Sequence, residues 1–132
     1  MIIAGAGEQM TLRAVARLAD ACNIVDGDLA GVRHKLTVLR GHCDAVGRDY
    51  DTIEKTRIQP WLLARDAAAL AAKREWLTAR GPSGGFVGTV SEAIDLIGQY
   101  QDAGVDLLIS ADRWNDIESR ELFVSEVMPH FA

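Results

Sequence analysis

The chain has 132 residues, of which 48% are hydrophobic and 25% are charged, and its formal net charge is −5. This length and composition are typical of one globular domain with a buried core. The acidic balance argues against a nucleic-acid partner, because such proteins concentrate Lys and Arg on one face. No apolar run approaches the roughly 20 residues that span a bilayer, so a cytoplasmic protein is expected.

The first predicted elements are a short strand, a glycine-rich turn and an amphipathic helix. Residues 1–4 form an apolar run that predicts a buried strand, and residues 5–8 follow it as a turn. A second strand is predicted at residues 22–25, before a turn at residues 26–28. The apolar stripe of the intervening helix consists of Leu12, Val15, Ala16, Ala19 and Cys22.

The second predicted helix begins at Leu29 and ends before Gly47, which stands where a helix-ending glycine is common. Its apolar stripe alternates steps of three and four residues: Leu29, Val32, Leu36, Leu39, Cys43 and Val46. Residues 53–64 then read as an extended segment. Pro60 lacks the N–H that a sheet needs, which favours an edge strand there.

The second half of the chain predicts further helices. Asp66 is expected to cap an alanine-rich helix that continues to about Arg80. Residues 81–88 are expected to form a mobile, glycine-rich loop. Thr89 and Glu92 have the spacing of a capping box for a helix that reaches Ala103.

The end of the chain predicts one more strand and one more helix. The strand is expected at residues 105–109, and the helix at residues 117–128, stopped by Pro129. Asp112 and Asn115 follow the carboxyl end of this strand. That is the end of a parallel strand where barrel sites assemble, but capping of the last helix explains the two residues equally well.

The few polar residues with reactive side chains give little sign of a catalytic or metal site. Cys22 and Cys43 lie in separate segments, with no CxxC spacing and no His at ligand spacing, so reduced, buried thiols and no metal are expected. His34 and His42 lie off the apolar stripe of the second helix, so solvent-exposed positions are expected for both. The tryptophans have no basic residues between them, which favours packing roles.

The order of elements indicates an α/β fold with parallel strands and right-handed crossovers. A parallel sheet is normally covered on both faces, and the predicted helices suffice for only one. The other face and the sheet edges are therefore expected to contact something else, either a second copy of the chain or a separate amino-terminal half.

Several short motifs resemble the luciferase-like flavin and deazaflavin oxidoreductases and monooxygenases. They are the strand and turn from Ile2 to Glu8, the segment Thr11-Leu12-Arg13, the pair Ala19-Asp20 with Asn23, and, near the end, Gly88-Thr89 and residues 102–106. The resemblance implies the carboxyl-terminal half of a TIM-type (β/α)8 barrel, as a single partial-barrel domain of residues 1–132. Much of the family's substrate pocket lies in the other half, so no catalytic residue is named.

The resemblance also implies a binding site for the phosphate of FMN or coenzyme F420, formed by Ala4, Gly5, Ala6, Gly7 and Glu8. Backbone N–H groups at a helix start favour an anion, which agrees with this role. Ala4 and Ala6 stand where the family usually has glycine, so their methyl groups are expected to weaken phosphate binding. Cys22 likewise replaces an aromatic residue that the family often places before Asn23.

Three functions remain open on the sequence. The first is an oxidoreductase fragment that uses FMN or coenzyme F420, inactive by itself. The second is a non-catalytic half-barrel that assembles with itself or with a partner chain. The third is a small phosphate-binding module that uses only the turn. The turn is equally explained as a tight strand-to-helix connection that binds no ligand.

Overall fold

The computed structural model describes residues 1–25, 27–81 and 84–132, and these residues form an α/β structure. The strands are β1 (Ile2–Ala4), β2 (Ala21–Ile24), β3 (Glu54–Ala64), β4 (Phe86–Thr89) and β5 (Leu107–Ala111). The helices are α1 (Thr11–Leu18), α2 (Leu29–Val46), α3 (Ala67–Thr78), α4 (Val90–Asp102) and α5 (Ile117–Leu122). The predicted α/β class is therefore confirmed.

Two compact units form within the chain, one of residues 1–58 and 99–109 and the other of residues 59–98 and 110–132. In the first unit, β1 pairs in parallel with β2, and β2 pairs in parallel with the beginning of β3. Helices α1 and α2 pack together over one face of these strands. Their shared core consists of Leu12, Val15, Ala16, Ala19, Cys22, Leu39, Cys43, Tyr50 and Ile53. Whether the whole chain is one partial-barrel domain stays a prediction.

Strand β1 is not buried, which corrects the expectation from its apolar sequence. Ile2 is 53% exposed and Ala4 is also exposed, while only Ile3 packs partly against the core. Among the described residues, β2 is the one strand with which β1 pairs. An apolar strand with a bare edge and a bare face is the feature expected of an incomplete sheet.

Strand β3 is central in the first unit, and the expectation of an edge strand was wrong. The Glu54 N–H donates to the Asp20 carbonyl at 2.9 Å, and the Lys55 carbonyl accepts from the Asp106 N–H at 2.8 Å, on the opposite side of the strand. Pro60 lies between the residues of β3 that pair with β2 and those that pair with β4.

The second unit is built on the end of β3, where residues 61–64 pair in parallel with β4. Trp61 is 4% exposed and packs its ring against Phe86 and Phe123, as expected for a packing tryptophan. Strand β4 occupies residues 86–89, so the predicted mobile loop overlaps a strand. Pro82 and Ser83, within that predicted loop, lie outside the described residues.

Local signals for helix ends were accurate. Gly47 ends α2 in a left-handed conformation with φ of 70°, and the Asp66 side chain accepts from the Ala69 N–H at 2.8 Å. The capping box also forms, since the Glu92 carboxylate accepts from the Thr89 N–H at 2.8 Å. The last helix differs from the prediction, because α5 continues as a π-helical segment, Phe123–Val127, and a 3-10 turn, Met128–Phe131.

Both cysteines are buried and unbridged, as predicted, at 1% exposure for Cys22 and 0% for Cys43. Burial raises the pKa of each thiol above its usual value. Neither thiol is therefore placed to act as a nucleophile. Within the described part of the chain, no helix combines the length and apolarity needed to cross a bilayer.

Candidate phosphate-binding turn

The turn that follows β1 wraps around the side chain of Thr11, at the first residue of α1. Gly5 has a φ of 141°, a backbone conformation that residues with a side chain rarely adopt. A Cβ atom on Gly7 would lie 2.9 Å from the Thr11 Oγ1 atom, closer than a normal contact. Glycine at these two positions is therefore required by the packing of the turn itself, whether or not a ligand binds.

The carbonyl groups of the turn are engaged by neighbouring donors. The Lys35 ammonium donates to the Ala6 carbonyl at 2.8 Å, and the Leu12 N–H donates to the Gly7 carbonyl at 3.0 Å. The Glu8 carbonyl lies 2.8 Å from the His42 Nε2 atom. Three consecutive carbonyls thus point away from solvent toward α1 and α2.

The N–H groups of the same peptides differ from the carbonyls in their pairing. No acceptor among the described residues pairs with the N–H of Gly7, Glu8 or Gln9. The peptide bonds are trans, so each of these N–H groups points away from the carbonyl of the residue before it. Unpaired backbone N–H groups ahead of a helix are donors of the kind that bind anions.

The start of α1 places a partial positive charge beside the turn, and Glu8 places a negative charge there. Helix α1 has no acidic residue in its first turn, and no side chain caps its N-terminus, so the positive end of its dipole is not neutralised. The one acidic group is Glu8, whose carboxylate lies 3.2 Å from the His34 Nε2 atom. The His34 side chain is therefore placed directly beside this carboxylate.

Strand β2 presents two different faces beside the turn. Cys22 is packed into the core beneath α1 and α2, so its side chain does not line an open site. Asn23, on the opposite face of the strand, accepts the Gly5 N–H with its backbone carbonyl at 3.1 Å. Its side-chain Oδ1 atom is buried without a hydrogen-bond partner, which is uncommon in folded proteins.

A separate pocket of about 330 Å³ lies in the second unit, and it contains one of the two residues noted after β5. Asn115 lines it with a strained φ of 53°, next to Trp76 and Trp114. The polar wall is the Lys73 ammonium, which pairs with the Asp116 carboxylate at 2.6 Å. This lysine is already bound by several acceptors, so the pocket offers no free cation.

The residues after β5 have structural roles. Asp116, rather than Asp112 or Asn115, caps α5 by accepting from the Ser119 N–H at 2.9 Å. Burial raises the pKa of Asp116, but bonds from Lys73 and Ser119 lower it more, and the net pKa lies below the usual value. Asp112 pairs with Arg120 at 3.3 Å. In the described residues, no cluster of three His, Cys, Asp or Glu side chains forms a metal site.

Comparison with known proteins gives structural matches alone, since no protein-family model and no curated protein sequence matches this chain. A coenzyme F420-dependent tetrahydromethanopterin reductase from Methanopyrus kandleri matches with a TM-score of 0.75 and 16% identity, over 99% of this chain and 50% of the reductase. A riboflavin lyase, solved with modified FMN and riboflavin, matches with a TM-score of 0.80 and 13% identity, over 98% of this chain and 42% of the lyase.

An F420-dependent secondary alcohol dehydrogenase, in complex with an F420-acetone adduct, matches with a TM-score of 0.77 and 16% identity, over 99% of this chain and 48% of the dehydrogenase. The chain has the fold of half a luciferase-like barrel. At these identities the likeness shows the fold alone. The chain spans half the length, or slightly less, of these enzymes.

Sequence reasoning missed the residues of α2 that hold the turn. His42 was expected in solvent, but it is half-buried and reaches the Glu8 carbonyl. Lys35 and His42 are seven residues apart, which places them on one side of a helix two turns apart. The sequence shows that the two residues share one side of the helix, but it does not show that this side meets the turn.

Proposed function

We propose that the chain is the carboxyl-terminal half of a luciferase-like oxidoreductase and that residues 4–8 bind the phosphate of FMN or coenzyme F420. The observation that carries the proposal is the turn itself, with its carbonyls engaged and its N–H groups of Gly7, Glu8 and Gln9 unpaired. The similarity in fold to F420- and FMN-associated enzymes supports the same cofactor class. The cofactor ring would carry the hydride, and this half would anchor the other end of the molecule.

The donor set of the turn fits a phosphate group. Backbone N–H groups and a helix N-terminus supply hydrogen bonds and a partial positive charge without a metal ion. Ala4 is exposed at the end of β1, and Ala6 is half-buried between the two glycines. The turn of the luciferase-like family usually has glycine at these two positions. The two methyl groups limit how closely a phosphate approaches the backbone.

Replacing Ala6 with glycine is expected to tighten phosphate binding by a few-fold, because it removes a methyl group beside the N–H donors. The measurement is isothermal titration of the 132-residue chain with inorganic phosphate and with FMN. Ala45→Gly, at an exposed position of α2, is the matched control and is expected to leave the affinity unchanged. Absence of any binding by the wild-type chain, to phosphate or FMN, would refute the proposed site.

A second candidate function is a half-barrel that assembles through its uncovered strand, with no catalysis of its own. It is favoured by the 53% exposure of Ile2, on a strand that pairs on one side within the described residues, and by the 77% exposure of Met1 just before it. A sheet edge of this kind pairs readily with another strand. The occupant is a second copy of the chain or an amino-terminal half-barrel on a separate chain.

Replacing Ile2 with lysine is expected to convert an assembled chain to monomer, since a charged side chain on an edge strand opposes pairing. Val46→Lys is the control, because Val46 is 41% exposed at the end of α2, away from β1 in the sequence. Light scattering gives the solution mass of both variants, with and without FMN. A wild-type chain that is a monodisperse monomer and binds no apolar dye would rule this function out.

A further inference from the structure

Two side chains of α2 reach across to the turn and fix the direction of its peptides. Lys35 donates to the Ala6 carbonyl and His42 contacts the Glu8 carbonyl, each at 2.8 Å and each in a partly buried setting. These contacts join residues that are 29 and 34 positions apart in the sequence. They are therefore tertiary contacts, not consequences of local turn geometry.

Helix α2 is a firm support for both contacts. It runs for 18 residues, is capped by Asp28 at its start and ends in the left-handed Gly47. Leu39, between the two residues along the helix, is fully buried in the core shared with α1. A side chain that extends from such a helix is held in place, and so is the group it binds.

We infer that Lys35 and His42 are positioning residues for the phosphate site, an inference that rests on the proposed function of the turn. In a trans peptide, the carbonyl of one residue and the N–H of the next point in opposite directions. When Lys35 holds the Ala6 carbonyl, the Gly7 N–H is turned away from α2. When His42 holds the Glu8 carbonyl, the Gln9 N–H is turned away in the same manner.

His34 completes the arrangement by pairing with the acid of the turn. Its Nε2 atom lies 3.2 Å from the Glu8 carboxylate, which draws that side chain toward α2. A carboxylate beside the free N–H groups would otherwise compete with phosphate for them and repel it. Three side chains of one helix thus organise the turn: two set the direction of its N–H donors, and one holds its negative charge.

The test compares Lys35→Met, Lys35→Arg and His42→Ala in the 132-residue chain. Titration with inorganic phosphate is expected to show binding about fivefold weaker for Lys35→Met and for His42→Ala, since each loses the ordering of one donor. Lys35→Arg keeps a donor and is expected to retain more affinity. Arg33→Met removes the same charge from an exposed position of α2 and is expected to bind as the wild type does.

A second readout follows the backbone without any ligand. In 15N-resolved NMR spectra, Lys35→Met is expected to shift the Gly7 amide signal and His42→Ala the Gln9 amide signal, while Arg33→Met shifts neither. This readout separates orientation of the peptides from a general effect of charge. The NMR measurement can also be made on a variant that binds phosphate too weakly for titration.

The outcomes distinguish the inference from the function on which it rests. A wild-type chain that binds neither phosphate nor FMN would refute both the positioning role and the proposed function. If the wild-type chain binds phosphate and Lys35→Met and His42→Ala bind it equally well, the phosphate site is retained and the positioning role is overturned. Equal weakening by Lys35→Met and Arg33→Met overturns it too, because long-range charge then explains the loss. A Lys35→Met chain that does not fold is replaced by the His42→Ala comparison.

Discussion

Replacing Asp106 with alanine is expected to lower the free energy of unfolding by about 3 kcal/mol, because it leaves a buried ammonium group without its ion-pair partner. The Lys55 side chain is 7% exposed, and its Nζ atom lies 2.9 Å from the Asp106 carboxylate. Loss of one member of a buried pair costs about 3–5 kcal/mol. The lower end of this energy range applies to the pair of Lys55 and Asp106, since the Asp106 side chain is 47% exposed.

The Asp106 carboxylate also supports the backbone of β3. It accepts the Lys55 N–H at 2.8 Å, and the Asp106 N–H in turn donates to the Lys55 carbonyl at 2.8 Å. The ammonium group lies 4.8 Å above the ring of Tyr50, which gives it a second, weaker partner. Asp106→Asn keeps an acceptor for the Lys55 N–H, so we expect it to be less destabilising than Asp106→Ala.

Urea unfolding measures these differences. Asp44→Ala, at an exposed position of α2, is the control and is expected to fall within about 0.5 kcal/mol of the wild type. The double variant Lys55→Met/Asp106→Ala removes both charges and is expected to recover much of the loss, because no unpaired ion remains. A stability of Asp106→Ala equal to that of Asp44→Ala would contradict the assigned role of the pair.

The parts of the fold that depend on nearby residues could be predicted from the sequence. Gly47 at the end of α2, Asp66 at the start of α3 and the pair Thr89 and Glu92 all behave as expected. Each of these features is set by hydrogen bonds within four residues. Patterns of this range are visible in a sequence because the chemistry that creates them is local.

Sheet pairing was harder to predict from the sequence, because it depends on residues far apart in the chain. Pro60 indicated an edge strand, yet β3 has partners on both sides where Glu54 and Lys55 lie. Lys55, in the same strand, is a charged residue that is only 5% exposed. A buried lysine is explained only once Asp106, 51 positions away, is known to lie against it.

The candidate site shows the same division. The turn of residues 4–8 was predicted as a phosphate site from its resemblance to a family and its glycine pattern, and that role stays a prediction. The requirement for glycine next to Thr11 could not be seen, since it arises from a contact of the folded turn. The contacts of Lys35 and His42 with that turn depend on how α2 packs beside α1, which periodicity alone does not specify.

Replacing Gly7 with alanine is expected to weaken phosphate binding at least about tenfold, because the new methyl group lies next to the N–H donor of its own residue and each charge-assisted bond contributes about 1.5–3 kcal/mol. The same variant is expected to lose about 1–2 kcal/mol of stability through overpacking. Its Cβ atom would lie 2.9 Å from the Thr11 Oγ1 atom, so the two groups must move apart. The effect on binding therefore has to be separated from the effect on folding.

The separation uses Thr11→Ala as the background. The hydroxyl group that Gly7→Ala would strike is absent there, so Gly7→Ala/Thr11→Ala is expected to be about as stable as Thr11→Ala alone. Thermal melts test this, and titration with phosphate compares the two chains, which differ at residue 7 alone. Weaker binding by the double variant assigns the loss to the methyl group at the donors. Equal binding would contradict the predicted tenfold loss and would mean that the turn has glycine at this position for packing against Thr11 alone.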